Sequence, residues 1–407
     1  MIDKMSWRHF VKLFCYLCIC IAGNAGYTAE DSSATELRRY YYPGTEQLNK
    51  DEMRVIALGT GRPLVQRGQA SACWLVQLGN GENFMFDIGT GCAPNLSLLN
   101  SSWNDFDKLF LSHLHSDHFG DFGALYVAGI LAGRHKPIRV WGPSGKQAEL
   151  GTRAAIEHIE KAYLWDKRSR QGRIPVTGMA TKVTEFDYSK SQVVYDNNGV
   201  VIRAWPAIHG IDGPVSYDLS WNGLKFVYSG DTVPNKWFMQ NANDADILVH
   251  ECFNSVNVLM EKYSAFSSWM VGTQIHTSPQ AAGKIFSMLN PRMAVCYHFI
   301  NDPLTLPDQL DSVRMTYDGP LSMAQDMMVW NVSKEKIIKR MTVAGDSVLG
   351  IGKRKTRPDP SLLVPLSEWL EQGKLPLPDA DRLILDSLEP AAQEEIKSKV
   401  PAAMLPN

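Results

Sequence analysis

The segment 113–118, with the sequence HLHSDH, constrains this chain more than any other feature. It follows the apolar run 109–111 after a single serine, so it lies at the end of a predicted buried strand. Three imidazoles and a carboxylate at that place suit metal binding, because imidazole nitrogen binds zinc and a short loop can direct alternate side chains at two adjacent ions. The pattern is rare by chance in a chain with 10 histidines, and it predicts a metal-binding loop; a solvated polar loop is the alternative.

Length and composition describe an ordinary globular protein. The chain has 407 residues, of which 44% are hydrophobic and 21% are charged. These values predict a sizeable core, in one large α/β domain with an added terminus or in two domains. The formal net charge of -2 gives no electrostatic argument for nucleic acid or an anionic membrane as the main partner.

The N-terminus has the features of an export signal. Lys4, Arg8 and Lys12 precede the apolar run 13–22, and small residues then lead to a predicted cut after Ala25. We therefore predict a signal peptide over 1–25 and a periplasmic or secreted protein, with an uncleaved anchor as the alternative. The apolar run is short for a bilayer span, and no other stretch is longer, so we expect no stable membrane span.

Four cysteines remain after the predicted cut. An even number in an oxidising compartment permits disulfides, but no close pair suggests a framework. Buried free thiols are equally compatible with the apolar surroundings. The residues are Cys73, Cys92, Cys252 and Cys296.

Apolar patterning divides the rest of the chain into three parts. A polar segment over 26–52 precedes a domain of alternating strands and helices over 53–350, and a proline-containing peripheral tail follows over 351–407. The patterns predict strands at 53–58, 73–78, 84–88, 105–111, 137–142, 200–205, 224–228, 247–249 and 293–297, a hairpin within 327–343, and helices at 122–132, 151–166 and 278–288. The basic run 167–173 is predicted to be a loop.

Histidine or aspartate follows several of these strands. Loops at one edge of a sheet can bring such groups together. The candidate ligands are His113, His115, Asp117, His118, His209, Asp231 and His298. We assign His113, His115 and His209 to one zinc ion and Asp117, His118 and His298 to a second, with Asp231 bridging. Two such ions would generate hydroxide from a shared water at neutral pH.

Several short motifs resemble the metallo-β-lactamase-fold hydrolase superfamily. They are LGTG at 58–61, HLHSDH at 113–118, SGDT at 229–232, HE at 250–251, HTS at 276–278 and HF at 298–299, and they occur in that superfamily's order. The resemblance extends from about Met53 to Val343. It implies an α/β fold of the αββα sandwich type, whereas periodicity alone indicates only a mixed α/β protein.

The later motifs are similar to the ribonuclease Z and arylsulfatase branch. In this superfamily, phosphodiesterases, sulfatases, lactonases and thioesterases have an acid at the position of Asp231, which true β-lactamases generally lack. The resemblance implies that His276 stabilises or protonates the leaving oxygen, with support from Glu251, and that Asp117 completes the catalytic set. The alternative for His276 is a structural role before the helix at Ser278, and for His250 a hydrogen-bonding role is favoured.

One departure from that branch concerns length. Members that process transfer RNA have a long arm between the third metal histidine and the bridging aspartate, whereas here only 210–230 separate the two. The extra length lies in 119–208. Export and the missing arm argue against transfer RNA, and the loop 142–145 with the basic run could shape a pocket for a smaller substrate. Trp205, Phe266 and Trp269 either line that pocket or belong to the core.

These observations predict an exported dinuclear zinc hydrolase of anionic esters. A metal-bridging hydroxide would attack a sulfate ester or a phosphodiester. The alternatives are a lactone or β-lactam hydrolase, a ribonuclease Z-type endonuclease, and a metal-binding protein without turnover. We expect a small anionic ester as the partner and no nucleic acid, and leave homo-oligomerisation open.

Overall fold

The computed structural model describes residues 39–174, 176–345 and 360–399. The strands in this part of the chain are numbered in chain order. They are β1 Tyr40–Tyr41, β2 Met53–Gly59, β3 Cys73–Leu78, β4 Asn83–Phe86, β5 Lys108–Phe110, β6 Ile138–Pro143, β7 Thr181–Phe186, β8 Gln192–Asn197, β9 Val200–Pro206, β10 Val215–Trp221, β11 Leu224–Tyr228, β12 Ile247–Glu251, β13 Met293–Tyr297, β14 Leu321–Met323, β15 Met328–Val332 and β16 Ile337–Thr342.

The strands form two mixed sheets. One has the order β1-β16-β15-β2-β3-β4-β5-β6-β7 and the other has the order β14-β13-β12-β11-β10-β9-β8. Their facing sides share one apolar core, in which Phe86 lies 5.2 Å from Phe226 and 5.7 Å from Tyr217, measured between ring centroids. Burial of these large aromatic faces drives the two sheets together.

Helices cover the outer face of each sheet. Cys92–Ser97, Phe122–Leu131 and Thr152–Ala162 pack on the first sheet, and Lys236–Asn241, Pro279–Leu289 and Leu306–Arg314 pack on the second. The other described α-helices are Ser116–Phe119, Leu164–Arg170, Val256–Met260, Ala265–Met270, Glu368–Gln372, Pro378–Asp386 and Pro390–Lys399. Short 3₁₀ turns lie at Trp103–Asp105, Ala148–Leu150, Val176–Met179 and Pro360–Leu362, and a π-helical turn lies at Val271–Ile275. The predicted αββα sandwich is thus confirmed.

The topology brings the loops that bear the candidate ligands to one edge. β4, β5, β6 and β7 run parallel in the first sheet, and β11, β12, β13 and β14 run parallel in the second. The carboxyl ends of parallel strands lie at the same edge, where ligand sites of such sheets are found. The loops after β5, β11, β12 and β13 therefore meet at one end of the sandwich.

The structure differs from the sequence predictions in several elements, and it decides between the two alternatives given for Trp205. The basic run 167–173 is not wholly a loop, because the helix Leu164–Arg170 includes most of it and Arg170 pairs with Asp166 one turn earlier at 2.7 Å. Trp205 does not line a pocket but is fully buried against Phe238. The strands β1, β7, β8, β10 and β14 were not predicted.

The two terminal segments differ in how they are attached to the domain. β1 and Glu46, within the polar N-terminal segment, are held on the sheet, and the described part of the tail is helical and largely exposed. The predicted signal peptide over 1–25 lies outside the described residues. Among the described helices, none has the length and apolar character that a membrane crossing requires.

The four cysteines are buried free thiols.

Candidate metal centre

Three histidines from two loops surround the first predicted metal position. His115 Nδ1 lies 3.1 Å from His113 Nε2 and 3.1 Å from His209 Nε2. His113 and His115 follow β5, and His209 follows β9 in the opposite sheet. Burial lowers the pKa of all three imidazoles, so neutral rings with free lone pairs are favoured. Three nitrogens this close together are a suitable donor set for one cation.

The second predicted position is adjacent to the first. His298 Nε2 lies 3.0 Å from Asp117 Oδ2, and His118 Nε2 lies 3.6 Å from the same oxygen. The short helix Ser116–Phe119 turns Asp117 and His118 inward, and His298 has a left-handed backbone (φ 68°) directly after β13. One carboxylate and two imidazoles therefore converge from two loops.

Asp231 faces both groups of ligands. Its Oδ2 lies 3.7 Å from His209 Nε2 and 3.3 Å from His298 Nε2, and its Oδ1 lies 3.2 Å from His118 Nε2. Burial would raise the pKa of this carboxyl group, but the imidazoles of His118 and His298 hold it well below the usual range. An ionised carboxylate between the two groups is the arrangement that two neighbouring cations require.

Unpartnered polar atoms show that the site fits cations. Asp117 Oδ1 is buried and has no hydrogen-bond partner among the described residues. Asp231 Oδ1 and His118 Nε2 are buried 3.2 Å apart but do not form a hydrogen bond with each other or with another described residue. Buried polar atoms without partners are costly, and metal coordination would satisfy them. The structure thus brings together all seven predicted ligands.

Asp87 supports the second group and was missed in the sequence. It accepts hydrogen bonds from Ser112 N (2.7 Å), Ser112 Oγ (2.7 Å) and Tyr228 OH (2.6 Å), and lies 2.6 Å from His118 Nδ1. This contact orients the ring so that Nε2 faces Asp231. Asp87 directly follows β4, and this position at a strand end was the available signal.

His209 is oriented in a comparable way. Its Nδ1 lies 2.9 Å from the backbone oxygen of Ile275, which leaves Nε2 facing the first metal position. Ile275 ends the π-helical turn Val271–Ile275 and directly precedes His276. The chain thereby links a predicted metal ligand to the predicted leaving-group histidine.

Glu251 and His276 form a buried pair beside the two ligand groups. His276 Nδ1 lies 2.9 Å from Glu251 Oε2, while Glu251 Oε1 accepts the backbone N–H of Thr232 at 2.5 Å. Burial lowers the pKa of His276, and burial together with the charge of Asp231 raises the pKa of Glu251 well above its usual range. Because Nδ1 faces Glu251, Nε2 is the nitrogen of His276 that can face a substrate.

His250 lies away from the ligands, in the core between the sheet and a helix. Its ring packs edge-on against Phe238 and Phe286, and its Nδ1 lies 2.7 Å from the backbone oxygen of Glu251. Burial lowers its pKa to about 4. The contact fits the hydrogen-bonding role favoured by the sequence.

Two cavities adjoin the first ligand group. One of about 250 Å³ is lined by His113, His115 and His209 and by Pro143, Ser144 and Leu150 from the other side. The second, of about 450 Å³, lies across the loop 209–213 and reaches Ile275. The loop 142–145 thus lines a pocket through two of its residues. Phe266 and Trp269 are exposed side chains and line neither cavity.

Comparisons with known proteins find relatives over about half of this chain. A family model described as anti-Pycsar protein Apyc1 matches residues 53–263. Ribonuclease Z of Mycolicibacterium gilvum is 29% identical over 202 residues, which are 49% of this chain and 68% of that protein. Ribonuclease Z of Mycobacterium avium is 30% identical over 204 residues, which are 49% and 69% of the two chains.

Solved structures agree on the fold. The metallo-β-lactamase-fold protein YhfI from Bacillus subtilis has a TM-score of 0.52 at 18% identity and covers 69% of this chain and 100% of its own. The short form of human tRNase Z has a TM-score of 0.50 at 19% identity, with 68% and 98% covered. The expected resemblance to metallo-β-lactamase-fold hydrolases and their ribonuclease Z branch is confirmed.

Proposed function

This chain belongs to the anti-Pycsar protein Apyc1 family, and we propose that it is a phosphodiesterase that uses two zinc ions to cleave a small anionic ester. That it is a metal-dependent hydrolase of the metallo-β-lactamase fold follows from its relatives. The identity and number of the ions, and the substrate, are our proposal.

The observation that carries the proposal is the position of Asp231. Its carboxylate is shared by the His113, His115 and His209 group and by the Asp117, His118 and His298 group. Seven donor residues exceed the needs of one tetrahedral site. When bound, two zinc ions would supply Lewis acidity that lowers the pKa of a water and offsets negative charge on the ester.

The protein's own groups serve the leaving oxygen. His276 would carry a proton on Nε2 and donate it to the oxygen that departs, while the contact between Glu251 and Nδ1 orients the ring. The stacked ring of Phe253, 4.1 Å from the imidazole centroid, shields one face of His276 from water. The pair is therefore placed as a general acid, His276, and the side chain that positions it, Glu251.

The relatives favour phosphodiesters over sulfate esters. Proteins named ribonuclease Z act on RNA, whose backbone bonds are phosphodiesters. A cavity of about 250 Å³ beside His115 and His209 suits a small substituent on the ester. Sulfate esters offer the same anionic geometry and remain the second substrate class to be tested.

RNA itself is a second candidate substrate, which the ribonuclease Z relatives favour. From the sequence we expected no nucleic acid, and the comparisons give that expectation no support. Against RNA, residues 210–230 are largely taken up by the paired strands β10 and β11, which leaves no room for a long arm in that interval. We keep a small diester as the proposed substrate and RNA as the alternative.

Export remains part of the proposal. The charged and apolar pattern of 1–25 supports it, and we propose that the mature protein acts in the periplasm or outside the cell.

Substrate panels test the proposal most directly. The zinc-loaded protein should hydrolyse bis-aryl phosphodiesters faster than aryl sulfates, lactones or β-lactams, and the Asp231→Asn variant should not. A short RNA oligonucleotide belongs in the same panel. Faster turnover of RNA than of every small diester would favour the alternative, and turnover of lactones alone would contradict the proposal.

A further inference from the structure

Arg62 is a buried cation that lies beside the candidate metal centre and that the proposed mechanism does not use. It belongs to the loop after β2 and is 8% exposed. Its guanidinium carbon lies 4.9 Å from the ring centroid of Phe253. That ring stacks on His276 at 4.1 Å with 7° between the planes, and it lies 5.7 Å from the ring of His298. Arg62 therefore lies on the side of the site that includes the leaving-group histidine.

Apart from its contact with the ring of Phe253, the guanidinium of Arg62 has no hydrogen-bonding or ionic partner in the described part of the chain. No described residue forms an ion pair or a hydrogen bond with it, and its Nε is buried without a partner. Arg134 and Arg340 also have a buried Nε without a partner, but their terminal nitrogens are bonded: Arg134 donates to the backbone oxygens of Leu125, Tyr126 and Gly178, and Arg340 pairs with Glu46. The N–H donors of the Arg62 guanidinium therefore have no acceptor among the described residues.

An unpaired buried cation is costly. Burial lowers the pKa of Arg62, and the nearby phenol of Tyr263 raises it by a smaller amount. Removing a charge from water without a partner destabilises a folded protein, unless a ligand supplies the missing partner. The missing partner of a guanidinium is an anion that can accept forked hydrogen bonds, such as a phosphate oxygen pair.

We propose that Arg62 binds the anionic oxygens of the substrate's phosphoryl group and selects anionic esters over neutral ones. The inference rests on the proposed function, since it names the group that recognises the charge of the diester. The ring of Phe253 lies between the two groups, because it stacks on His276 and is contacted by the guanidinium of Arg62. We infer that the phosphoryl group of an ester whose leaving oxygen is beside His276 would be within reach of Arg62. Arg62 would contact the substrate and not the metal ligands.

A purely structural role is the competing explanation. Stacking on Phe253 could serve only to hold that ring against His276. In that case loss of Arg62 would lower the melting temperature and slow every substrate equally. A role in anion binding predicts a loss limited to anionic ligands, so the two explanations are separable.

The test compares zinc-loaded wild type with Arg62→Gln, Arg62→Lys and the matched control Arg67→Gln. Arg67 is an exposed arginine of the same loop. The main readout is calorimetric binding of inorganic phosphate, and the second is the KM for a bis-aryl phosphodiester and for a neutral aryl acetate. We expect Arg62→Gln to weaken phosphate binding and raise the diester KM by roughly 10- to 100-fold. Arg62→Lys should recover part of this loss, while Arg67→Gln, the acetate KM and the zinc content should be unchanged.

The outcomes separate this inference from the proposed function. Unchanged phosphate affinity in Arg62→Gln with intact zinc would overturn the role of Arg62 even if the wild type hydrolyses diesters. An equal loss for acetate and diester together with a lower melting temperature would also overturn it. If phosphate affinity depends on Arg62 but no diester is hydrolysed, the anion site stands and the phosphodiesterase proposal fails.

Discussion

His118 and Asp87 are held together at 2.6 Å, although 30 residues separate them in the chain. The carboxylate contacts Nδ1, so Nε2 of His118 is directed at Asp231 and the second metal position. We predict that Asp87→Asn lowers the affinity for one zinc ion by about 10- to 100-fold, because the ring loses its charged support. Competition with a zinc chelator measures the effect.

A second buried aspartate is the matched control for that experiment. Asp218 on β10 lies 3.2 Å from Lys225 and outside the metal centre. Asp218→Asn should leave zinc affinity unchanged even where it lowers stability. If both variants lose zinc equally, the contact between Asp87 and His118 has no special role.

Metal content is the next prediction. We expect about two zinc ions per wild-type chain, because Asp231 faces two donor groups. Asp231→Ala should lose at least one ion and nearly all turnover, whereas Asp196→Ala, at an exposed aspartate of β8 that lines neither cavity, should lose neither. Elemental analysis of active wild type that finds a single ion would refute the dinuclear centre.

His276 can be tested with a series of leaving groups. His276→Ala should retain zinc while kcat falls by roughly 10²- to 10⁴-fold, because the leaving oxygen loses its proton donor. The loss should shrink as the leaving group becomes more acidic. Glu251→Gln should follow the same trend with a smaller loss, since Glu251 acts by orienting the ring. An equal loss across the series, together with a lower melting temperature, would assign His276 a structural role.

His250 predicts a pH dependence of stability. Burial lowers its folded pKa to about 4, below the ordinary value of 6.5, so the unfolded chain takes up a proton first as the pH falls. The contribution to stability is present above pH 6.5 and is lost as the pH falls toward 4, by at most about 3 kcal/mol. Urea unfolding of wild type and His250→Gln across this range measures the difference. Two parallel curves would contradict the prediction.

Export is tested by the start of the mature protein. N-terminal sequencing of extracytoplasmic material should begin near Gly26. Cytoplasmic protein that retains Met1 would exclude the signal peptide and strengthen the case for RNA as substrate.

The candidate metal ligands could be identified in the sequence because they interrupt a simple pattern. An apolar strand that ends in histidine or aspartate places that group at a sheet edge, and His113, Asp231 and His298 all follow this rule. Asp87 follows it as well, but its role depends on a tertiary contact with His118. No single-sequence pattern could reveal that contact.

Other features could not be predicted, because their cause lies in tertiary packing. β7 and β8 have side chains that are mostly half-buried or exposed, so their apolar periodicity is weak. Trp205 belongs to the core because Phe238 packs on it from a helix that was not predicted. The stack of Arg62, Phe253 and His276 joins three distant segments, and each residue taken alone is unremarkable.

The hydrogen bond between His209 and Ile275 couples metal binding to the position of His276. A shift of the π-helical turn would displace His209 and His276 together. The backbone oxygen of Ile275 contacts His209, and His276 is the next residue in the chain. We therefore expect that a molecule without metal at the first position also has His276 out of place. Protein with incomplete metal content would then be inactive and not merely slower, so the measured activity should be proportional to the fraction of molecules with both metal positions filled.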